Sequence, residues 1–108
     1  MKSAPNLILV GPMGSGKSSI GRRLADRLGL SFVDADREIE SATGAGIPLI
    51  FELEGEAGFR ERERETLLRL CRTGPQVIAT GGGAVLRADN RRLLAESGFV
   101  VHLDVDLE

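Results

Sequence analysis

Four short apolar runs recur along the chain, separated by longer and more polar segments. Within each run, apolar residues follow one another with little polar alternation. This pattern is typical of strands that are buried on both faces of a parallel sheet. We therefore predict four strands, at residues 7–10, 31–34, 77–79 and 99–103.

The segments between the predicted strands have the three-to-four-residue periodicity of amphipathic helices. After the first strand, one helical face is apolar and the helix ends at Gly29; the apolar face carries Ile20, Leu24, Ala25 and Leu28. Further helices, each closely followed by a glycine, are predicted at 36–43, 49–54, 56–72 and 88–97. Strands and helices that alternate in this way predict an α/β domain whose parallel sheet is covered on both faces.

The segment between the first strand and the first helix reads GPMGSGKS, residues 11–18. It matches the pattern GxxxxGK[ST], whose glycines let main-chain N–H groups wrap around a phosphate. The lysine reaches the β- and γ-phosphates, the serine is a magnesium ligand, and the helix N-terminus attracts anions. A glycine-rich turn without a ligand is the alternative. We predict a P-loop NTPase-type three-layer α/β/α fold and a nucleotide site comprising Gly14, Ser15, Gly16, Lys17, Ser18 and Ser19.

Length and charge narrow the range of functions. A chain of 108 residues suits a single domain, residues 1–108. Its 14 basic and 16 acidic residues are spread through the chain, and the net charge of −2 predicts neither nucleic acid nor membrane as a partner. The single cysteine, Cys71, suits a reducing compartment. We expect neither a signal peptide nor a membrane span, and hence a cytoplasmic protein.

Two acidic residues stand at the end of the second predicted strand. Asp34 and Asp36 are two positions apart, and in extended backbone this spacing directs both carboxylates to the same side. Phosphoryl transfer to an alcohol needs one acid near the magnesium ion and another that accepts the proton of the hydroxyl. The alternative is that Asp36 only caps the next helix and that Asp34 is a solvated loop acid. The nearby phosphate loop favours the catalytic interpretation.

The third predicted strand ends in three glycines: Gly81, Gly82 and Gly83. Ligands of such sheets gather at the carboxyl ends of the strands, so we expect the phosphate loop, the two acids after the second strand and these glycines to share one crevice. Since no acid stands there, Asp34 is the leading candidate for holding magnesium, through water. Glycines at this place expose main-chain donors and leave room for a ligand; a flexible turn is the alternative. Asp104 is a rival acid that we interpret as a turn or cap residue, and we interpret His102 as an ordinary strand residue.

Arg60 lies in a predicted helix that is dense in opposite charges three and four residues apart. Its planar guanidinium suits bidentate pairing with a substrate carboxylate. Glu63, one turn further along, is placed to orient it. The alternative for this run of charges is a solvated helical face.

Four segments taken together resemble the shikimate kinase family: GPMGSGKSSIGRRLA, FVDAD, FELEGEAGFRERE and ATGGGAV. They occur in the family's order and spacing across nearly the whole chain. The resemblance implies transfer of the γ-phosphoryl group of ATP, with Mg²⁺, to the 3-hydroxyl of shikimate in aromatic amino-acid biosynthesis. A P-loop kinase for another polyol or a nucleoside is argued against by Arg60 together with the triple glycine.

The resemblance also implies a role for each matched residue. Lys17 and Ser18 would serve the ATP phosphates and magnesium, and Asp34 would hold the water shell of the metal. Asp36 would bind shikimate hydroxyls and act as the base, with Lys17 as the other catalytic residue. Arg60 would hold the shikimate carboxylate. The other substrate-binding residues would be the three glycines and two aromatic walls: Gly81, Gly82, Gly83, Phe51 and Phe59.

The resemblance covers the front part of the family. Its members continue with a mobile lid, a further carboxylate-binding arginine, adenine contacts and a last strand, and none of these has a counterpart before Glu108. Lid closure excludes water, so we expect this chain alone to be weakly active or inactive, as an engineered or proteolytic fragment. An uncovered sheet edge favours self-association, whereas a complete member is expected to be monomeric. The alternative function is a nucleotide-binding module without catalysis.

Overall fold

A computed structural model of the protein describes residues 5–12 and 16–103. Its four strands form one parallel sheet in the order β2-β3-β1-β4. The strands are β1 (Asn6–Val10), β2 (Ser31–Asp34), β3 (Gln76–Ala79) and β4 (Gly98–His102). The predicted parallel sheet is confirmed, and each strand begins and ends within one residue of its predicted position.

The helices also follow the prediction, with one addition. They are α1 (Lys17–Leu28), α2 (Ala35–Thr43), α3 (Ile47–Thr73) and α4 (Ala88–Ser97). At Gly55, φ is 74° and ψ is 177°, so α3 is two helical halves separated by the predicted break. A short 3₁₀ helix at Ala84–Leu86 was not predicted. In the described ranges, none of these helices combines the length and the apolar character needed to cross a bilayer.

Alternate strand residues face opposite sides of the sheet and form two separate cores. On one side, strand residues pack against α3 and α4, a cluster that includes Ile8, Val10, Ile78, Leu67, Leu70 and Leu94. On the other side, strand residues pack against α1, a cluster that includes Leu7, Leu9, Phe32, Val77, Leu24 and Ala25. Helices therefore cover both faces, and the three-layer α/β/α fold is confirmed.

Three strands begin one residue before their predicted starts, at Asn6, Gln76 and Gly98. The first two of these residues have polar side chains. Both side chains are buried, and apolar periodicity alone gives no reason to include them. Asn6 Oδ1 accepts from the main-chain N–H of Gln76 at 3.0 Å, and Asn6 Nδ2 donates to the carbonyl of Cys71 at 3.1 Å. Gln76 Nε2 donates to the carbonyl of Leu70 at 2.9 Å. The buried amides are accommodated because their polar atoms are hydrogen-bonded.

α1 approaches the sheet closely at Gly21. A Cβ atom at this position would overlap the ring of Phe32 and would lie 3.2 Å from the side chain of Leu9. Glycine therefore lets the first helix after the phosphate loop pack tightly on β2.

We expect Gly21→Ala to lower the free energy of unfolding by about 1–3 kcal/mol, because the stiff ring of Phe32 must move aside. This cost outweighs the better helix propensity of alanine, which is worth about 0.5–1 kcal/mol. Urea denaturation measures the change. Arg23→Ala, exposed on the same helix, is the control and should stay within about 0.5 kcal/mol of the wild type. Equal stability of Gly21→Ala would mean that the ring is displaced at no cost.

Candidate active site

The carboxyl ends of the strands open onto a cavity of about 270 Å³. Its walls come from the start of α1, the junction of β2 with α2, and the turn after β3. The lining residues are Gly16, Lys17, Ser18, Ser19, Asp34, Asp36, Ala79, Thr80, Gly81 and Gly82. Parallel strands bring their carboxyl ends to one edge of the sheet, and the three predicted places meet there.

The start of α1 places a cation beside a helix N-terminus. Gly16 precedes the helix with a φ of 84°, a left-handed conformation that favours glycine. Lys17 Nζ donates to the main-chain oxygens of Gly11 at 2.7 Å and Pro12 at 2.9 Å, which holds the ammonium over the loop. The ammonium and the helix N-terminus together suit an anion. Gly14 and Ser15 of the predicted nucleotide site lie outside the described ranges, as does the rival acid Asp104.

Asp34, and not Asp36, caps the second helix. Its Oδ1 accepts from the main-chain N–H groups of Asp36 at 3.0 Å and Arg37 at 3.3 Å. Its Oδ2 accepts from Ser18 Oγ at 3.0 Å. One carboxylate therefore closes the first turn of α2 and contacts α1. The alternative in which Asp36 caps the helix and Asp34 is a solvated loop acid is wrong.

Ser18 Oγ and Asp34 Oδ2 are two adjacent oxygen atoms at the cavity, and oxygen is the ligand atom that magnesium prefers. Magnesium commonly takes one or two protein ligands and completes its shell with water and substrate phosphates. Across 5–12 and 16–103, no group of three or more His, Cys, Asp or Glu could hold a metal ion. The Ser18–Asp34 pair therefore fits a magnesium ion shared with a nucleotide rather than one held by protein alone.

Asp36 lies in the first turn of α2, so the argument from extended backbone is wrong for it. The two acids reach one cavity although a helix begins between them. Burial raises the pKa of Asp36, and the negative charges of Asp34 and Glu40 raise it further. Lys17 and Arg60 act in the opposite direction without cancelling the rise. The raised pKa makes the Asp36 carboxylate a stronger base than a solvated aspartate.

Two of the three glycines make room for protein side chains. A Cβ on Gly81 would overlap the carboxylate of Asp36, and a Cβ on Gly83 would overlap the guanidinium of Arg60. Neither glycine has a positive φ, so close approach and not backbone conformation explains both of them. Gly82 is exposed and lines the cavity.

Arg60 is held by two acids and a ring. Its guanidinium lies 3.0 Å from Glu63, which is 1% exposed, and 3.5 Å from Glu56. The guanidinium carbon lies 5.2 Å from the centre of the Phe59 ring, which stacks on Phe51 with a centroid distance of 4.7 Å. Because the Arg60 side chain is only 19% exposed, the alternative of a solvated helical face is wrong for it. Phe59 packs against Arg60 and Phe51 stacks on Phe59, and none of these three residues is among those that line the 270 Å³ cavity.

The charged group around Asp36 and Arg60 contains three buried atoms without a hydrogen-bond partner in the described structure: Asp36 Oδ1, Arg60 Nε and Glu63 Oε2. Burial also raises the pKa of Glu63, and the negative charge of Asp36 adds to this, against the lowering effect of Arg60. Unpartnered buried polar atoms are costly, so these three point to a polar ligand that offers both donors and acceptors.

Thr80 lines the cavity and was not predicted as a site residue. Its Oγ1 and its main-chain N–H both donate to the carbonyl of Leu9, at 3.1 Å and 3.0 Å. These bonds join the end of β3 to β1 beside the phosphate loop. Its place between a buried strand and three glycines was the signal available in the sequence.

Comparison with known proteins assigns the chain to a family, since the shikimate kinase model matches residues 13–108. The chain belongs to the shikimate kinase family. The shikimate kinase of Stenotrophomonas maltophilia strain R551-3 is 59% identical over 107 residues, covering 99% of this chain and 59% of that protein. That of Pseudomonas paraeruginosa strain PA7 is 61% identical over 103 residues, covering 95% and 60%. The chain therefore spans about three fifths of the length of these curated shikimate kinases.

Solved structures agree with this family. A shikimate kinase from Acinetobacter baumannii in complex with shikimate superimposes with a TM-score of 0.93 at 53% identity, covering 96% of this chain and 58% of the other. A shikimate kinase from Bacteroides thetaiotaomicron gives 0.92 at 36% identity, covering 96% and 62%. A gluconokinase from Sinorhizobium meliloti, with 18% identity and a TM-score of 0.54, shares the fold alone.

The raised pKa of Asp36 carries a cost in stability at neutral pH. Folded Asp36 holds its proton more tightly than it does in the unfolded chain, where its ordinary pKa is 3.8. Its contribution to stability is therefore fully present below about pH 3.8 and is lost as the pH rises through the higher folded pKa. An uncharged side chain of the same shape avoids this loss.

We accordingly expect Asp36→Asn to raise the free energy of unfolding at neutral pH, with a gain that vanishes as the pH falls below 3.8. Urea titrations across this range measure both effects. Asp26→Asn, exposed on α1, is the matched control and should change stability by no more than about 0.5 kcal/mol. A loss of stability in Asp36→Asn at neutral pH would mean that Lys17 and Arg60 outweigh the effect of burial.

Proposed function

We propose that this protein is an ATP-dependent kinase that transfers the γ-phosphoryl group to the 3-hydroxyl of shikimate. The observation that carries the proposal is the meeting of Asp36, whose pKa is raised, with Lys17 and Ser18 in one cavity. Support for the acceptor comes from the Acinetobacter baumannii shikimate kinase, solved with shikimate, which is 53% identical. Shikimate kinases use ATP with Mg²⁺, and we propose both for this chain.

In the proposed reaction, Asp36 accepts the proton of the 3-hydroxyl as the hydroxyl oxygen attacks the γ-phosphorus. The new bond from oxygen to phosphorus forms as the bond from the γ-phosphorus to the β,γ-bridging oxygen breaks, and ADP leaves. Lys17 stabilises negative charge on the β- and γ-phosphates, supported by the main-chain amides at the start of α1. Ser18 and Asp34 would hold Mg²⁺, which neutralises phosphate charge.

Arg60 is the proposed ligand of the shikimate carboxylate. Its Nε is buried without a partner in the described structure, and a planar guanidinium pairs well with a carboxylate. Glu63 fixes the guanidinium through the 3.0 Å contact, and Phe59 supports it from behind. Asp36 Oδ1, also without a described partner, is available to the shikimate hydroxyls.

We expect Asp36→Asn to lower kcat for phosphoryl transfer by about 100-fold or more, because an amide cannot accept the proton of the hydroxyl. Affinity for Mg·ATP should stay within about twofold of the wild type, since the loop that binds phosphate is unchanged. Shikimate-dependent ADP release measures transfer, and calorimetry measures nucleotide binding.

Two variants control this experiment. Lys17→Ala serves as the blank for transfer, and Asp26→Asn makes the same chemical change at an exposed position of α1 and should keep wild-type activity. Substantial residual transfer by Asp36→Asn would rule out Asp36 as the essential base.

A nucleotide-binding module without catalysis is the second candidate function. One observation favours it: the chain spans 59% of the length of the Stenotrophomonas maltophilia shikimate kinase. Under the kinase proposal, we therefore expect the 108-residue chain to phosphorylate shikimate only weakly. Binding of Mg·ADP by the wild type without any shikimate-dependent ADP release would support this second function.

The proposed location is the cytoplasm, which the free Cys71 fits, and neither nucleic acid nor membrane is proposed as a partner.

We also propose that the 108-residue chain self-associates through β4. Among the described strands, β4 pairs with β1 alone, so its other edge presents main-chain N–H and C=O groups. Phe99 and Val101 project from this strand and are 67% and 37% exposed. An apolar edge strand is a template for pairing with a second chain.

We expect the purified chain to form dimers or larger species in a concentration-dependent manner, and Phe99→Lys to shift it toward the monomer because an edge lysine opposes strand pairing. Sedimentation velocity measures the distribution. Leu53→Lys replaces a residue of similar exposure, 73%, on α3 and should leave association unchanged. A wild-type chain that stays monomeric at all concentrations, or equal effects of the two variants, would contradict the role of β4.

A further inference from the structure

The 3₁₀ helix after the triple glycine is attached to α4 through its main-chain oxygens. Asn90 Nδ2 donates to the carbonyl of Ala84 at 3.0 Å. Arg91 Nη1 donates to the carbonyls of Val85 at 2.7 Å and Leu86 at 3.2 Å. All three residues of this helix are therefore bonded by side chains of α4, although the helix lies outside the cavity lining.

Asn90 is the buried member of this attachment. It is 0% exposed, whereas Arg91 lies on the surface. Its Oδ1 accepts from Arg64 Nη1 at 3.4 Å, and the same nitrogen of Arg64 donates to the carbonyl of Asp89 at 3.0 Å. Asn90 therefore joins three elements: its own helix α4, the 3₁₀ helix and α3.

The 3₁₀ helix is bonded in turn to the glycine turn, which lies against Asp36 and Arg60. We call the part of the site formed by these two residues the acceptor side, because they are the proposed ligands of shikimate. The main-chain N–H of Ala84 donates to the carbonyl of Gly81 at 3.1 Å, and that of Leu86 donates to the carbonyl of Gly83 at 3.1 Å. Gly81 lies against Asp36, and Gly83 lies against Arg60, one helical turn before Arg64 on α3. Movement of Ala84 would therefore move the glycine turn relative to both charged groups.

We propose that Asn90 is a positioning residue for the acceptor side of the active site, holding the glycine turn against Asp36 and Arg60. The inference rests on the proposed function for the identity of the acceptor. The positioning role requires a neutral side chain with one donor and one acceptor at residue 90, because the Ala84 carbonyl needs an N–H and the Arg64 guanidinium needs an oxygen. The nucleotide side, built on Lys17 and Ser18, does not depend on this connection.

The amide provides a selective test. Asn90→Asp keeps an oxygen for Arg64 and removes the donor to Ala84, whereas Asn90→Leu removes both bonds. We expect both variants to raise the dissociation constant for shikimate by about 10- to 100-fold, as small misplacements in a site do. The dissociation constant for Mg·ADP should change by less than about twofold, since the loop is untouched. Calorimetry at pH above 7 measures both constants.

Asn6 offers a matched control. It is also a buried amide with one donated and one accepted main-chain hydrogen bond, and it lies at the start of β1, the opposite end of the strand from the cavity. Asn6→Asp should lower stability as Asn90→Asp does, yet leave the shikimate dissociation constant unchanged. Equal weakening of shikimate binding by both variants, or parallel loss of Mg·ADP and shikimate binding in Asn90→Asp, would overturn the positioning role.

A second readout does not depend on shikimate. Amide hydrogen exchange at Ala84 and Leu86 reports the bonds to Gly81 and Gly83. We expect faster exchange at these amides in Asn90→Asp and not in Asn6→Asp, and unchanged exchange would overturn the inference. If the wild type binds Mg·ADP but not shikimate, the proposed acceptor is wrong, and the exchange data alone decide whether Asn90 holds the turn.

Discussion

β1 pairs in parallel with one neighbouring strand on each of its two sides, and the site depends on this arrangement. β1 pairs with β3 and β4 in the same direction, and β2 continues the sheet beyond β3. Because all four strands run in parallel, the segments that follow them emerge at one edge. Residues distant in sequence, such as Lys17, Asp34 and Gly81, meet there for that reason. If β2 ran in the opposite direction, Asp34 would lie at the far end of the sheet.

Within that edge, three carboxylates have different environments and therefore different chemistry. Asp34 accepts bonds from Ser18 Oγ and from two main-chain N–H groups, so its carboxylate is held beside a second oxygen atom that suits a metal ion. Glu63 forms an ion pair with Arg60 and orients its guanidinium. Asp36 and Glu63 both have a raised pKa and an unpartnered buried oxygen, but of these two only Asp36 lines the cavity, so Asp36 is the one that suits proton transfer. Separation of acid roles by local environment is a general device of active sites.

Periodicity and the phosphate-loop motif predicted the strands, most of the helices and the meeting of three segments, because these follow from local sequence and from parallel strand direction. Other features depend on contacts that no local pattern encodes. Asp34 caps α2 because its side chain turns back onto Asp36 and Arg37, while local propensity allowed either acid to do so. The bond from Asn90 to Ala84 was equally invisible, since an asparagine near a helix start is usually interpreted as a cap. Such details are decided by tertiary packing.

The missing Cβ atoms of Gly81 and Gly83 have a consequence for how such a site can change over time. The two glycines leave space because they have no side chains. The Asp36 carboxylate and the Arg60 guanidinium occupy the volume that those side chains would fill. A larger residue at either of these two positions would overlap the protein's own charged groups before it met a substrate. A change in acceptor preference therefore has to arise from residues of α2 and α3, which carry the charged groups. The backbone of the turn stays the same and accommodates the groups that these two helices present.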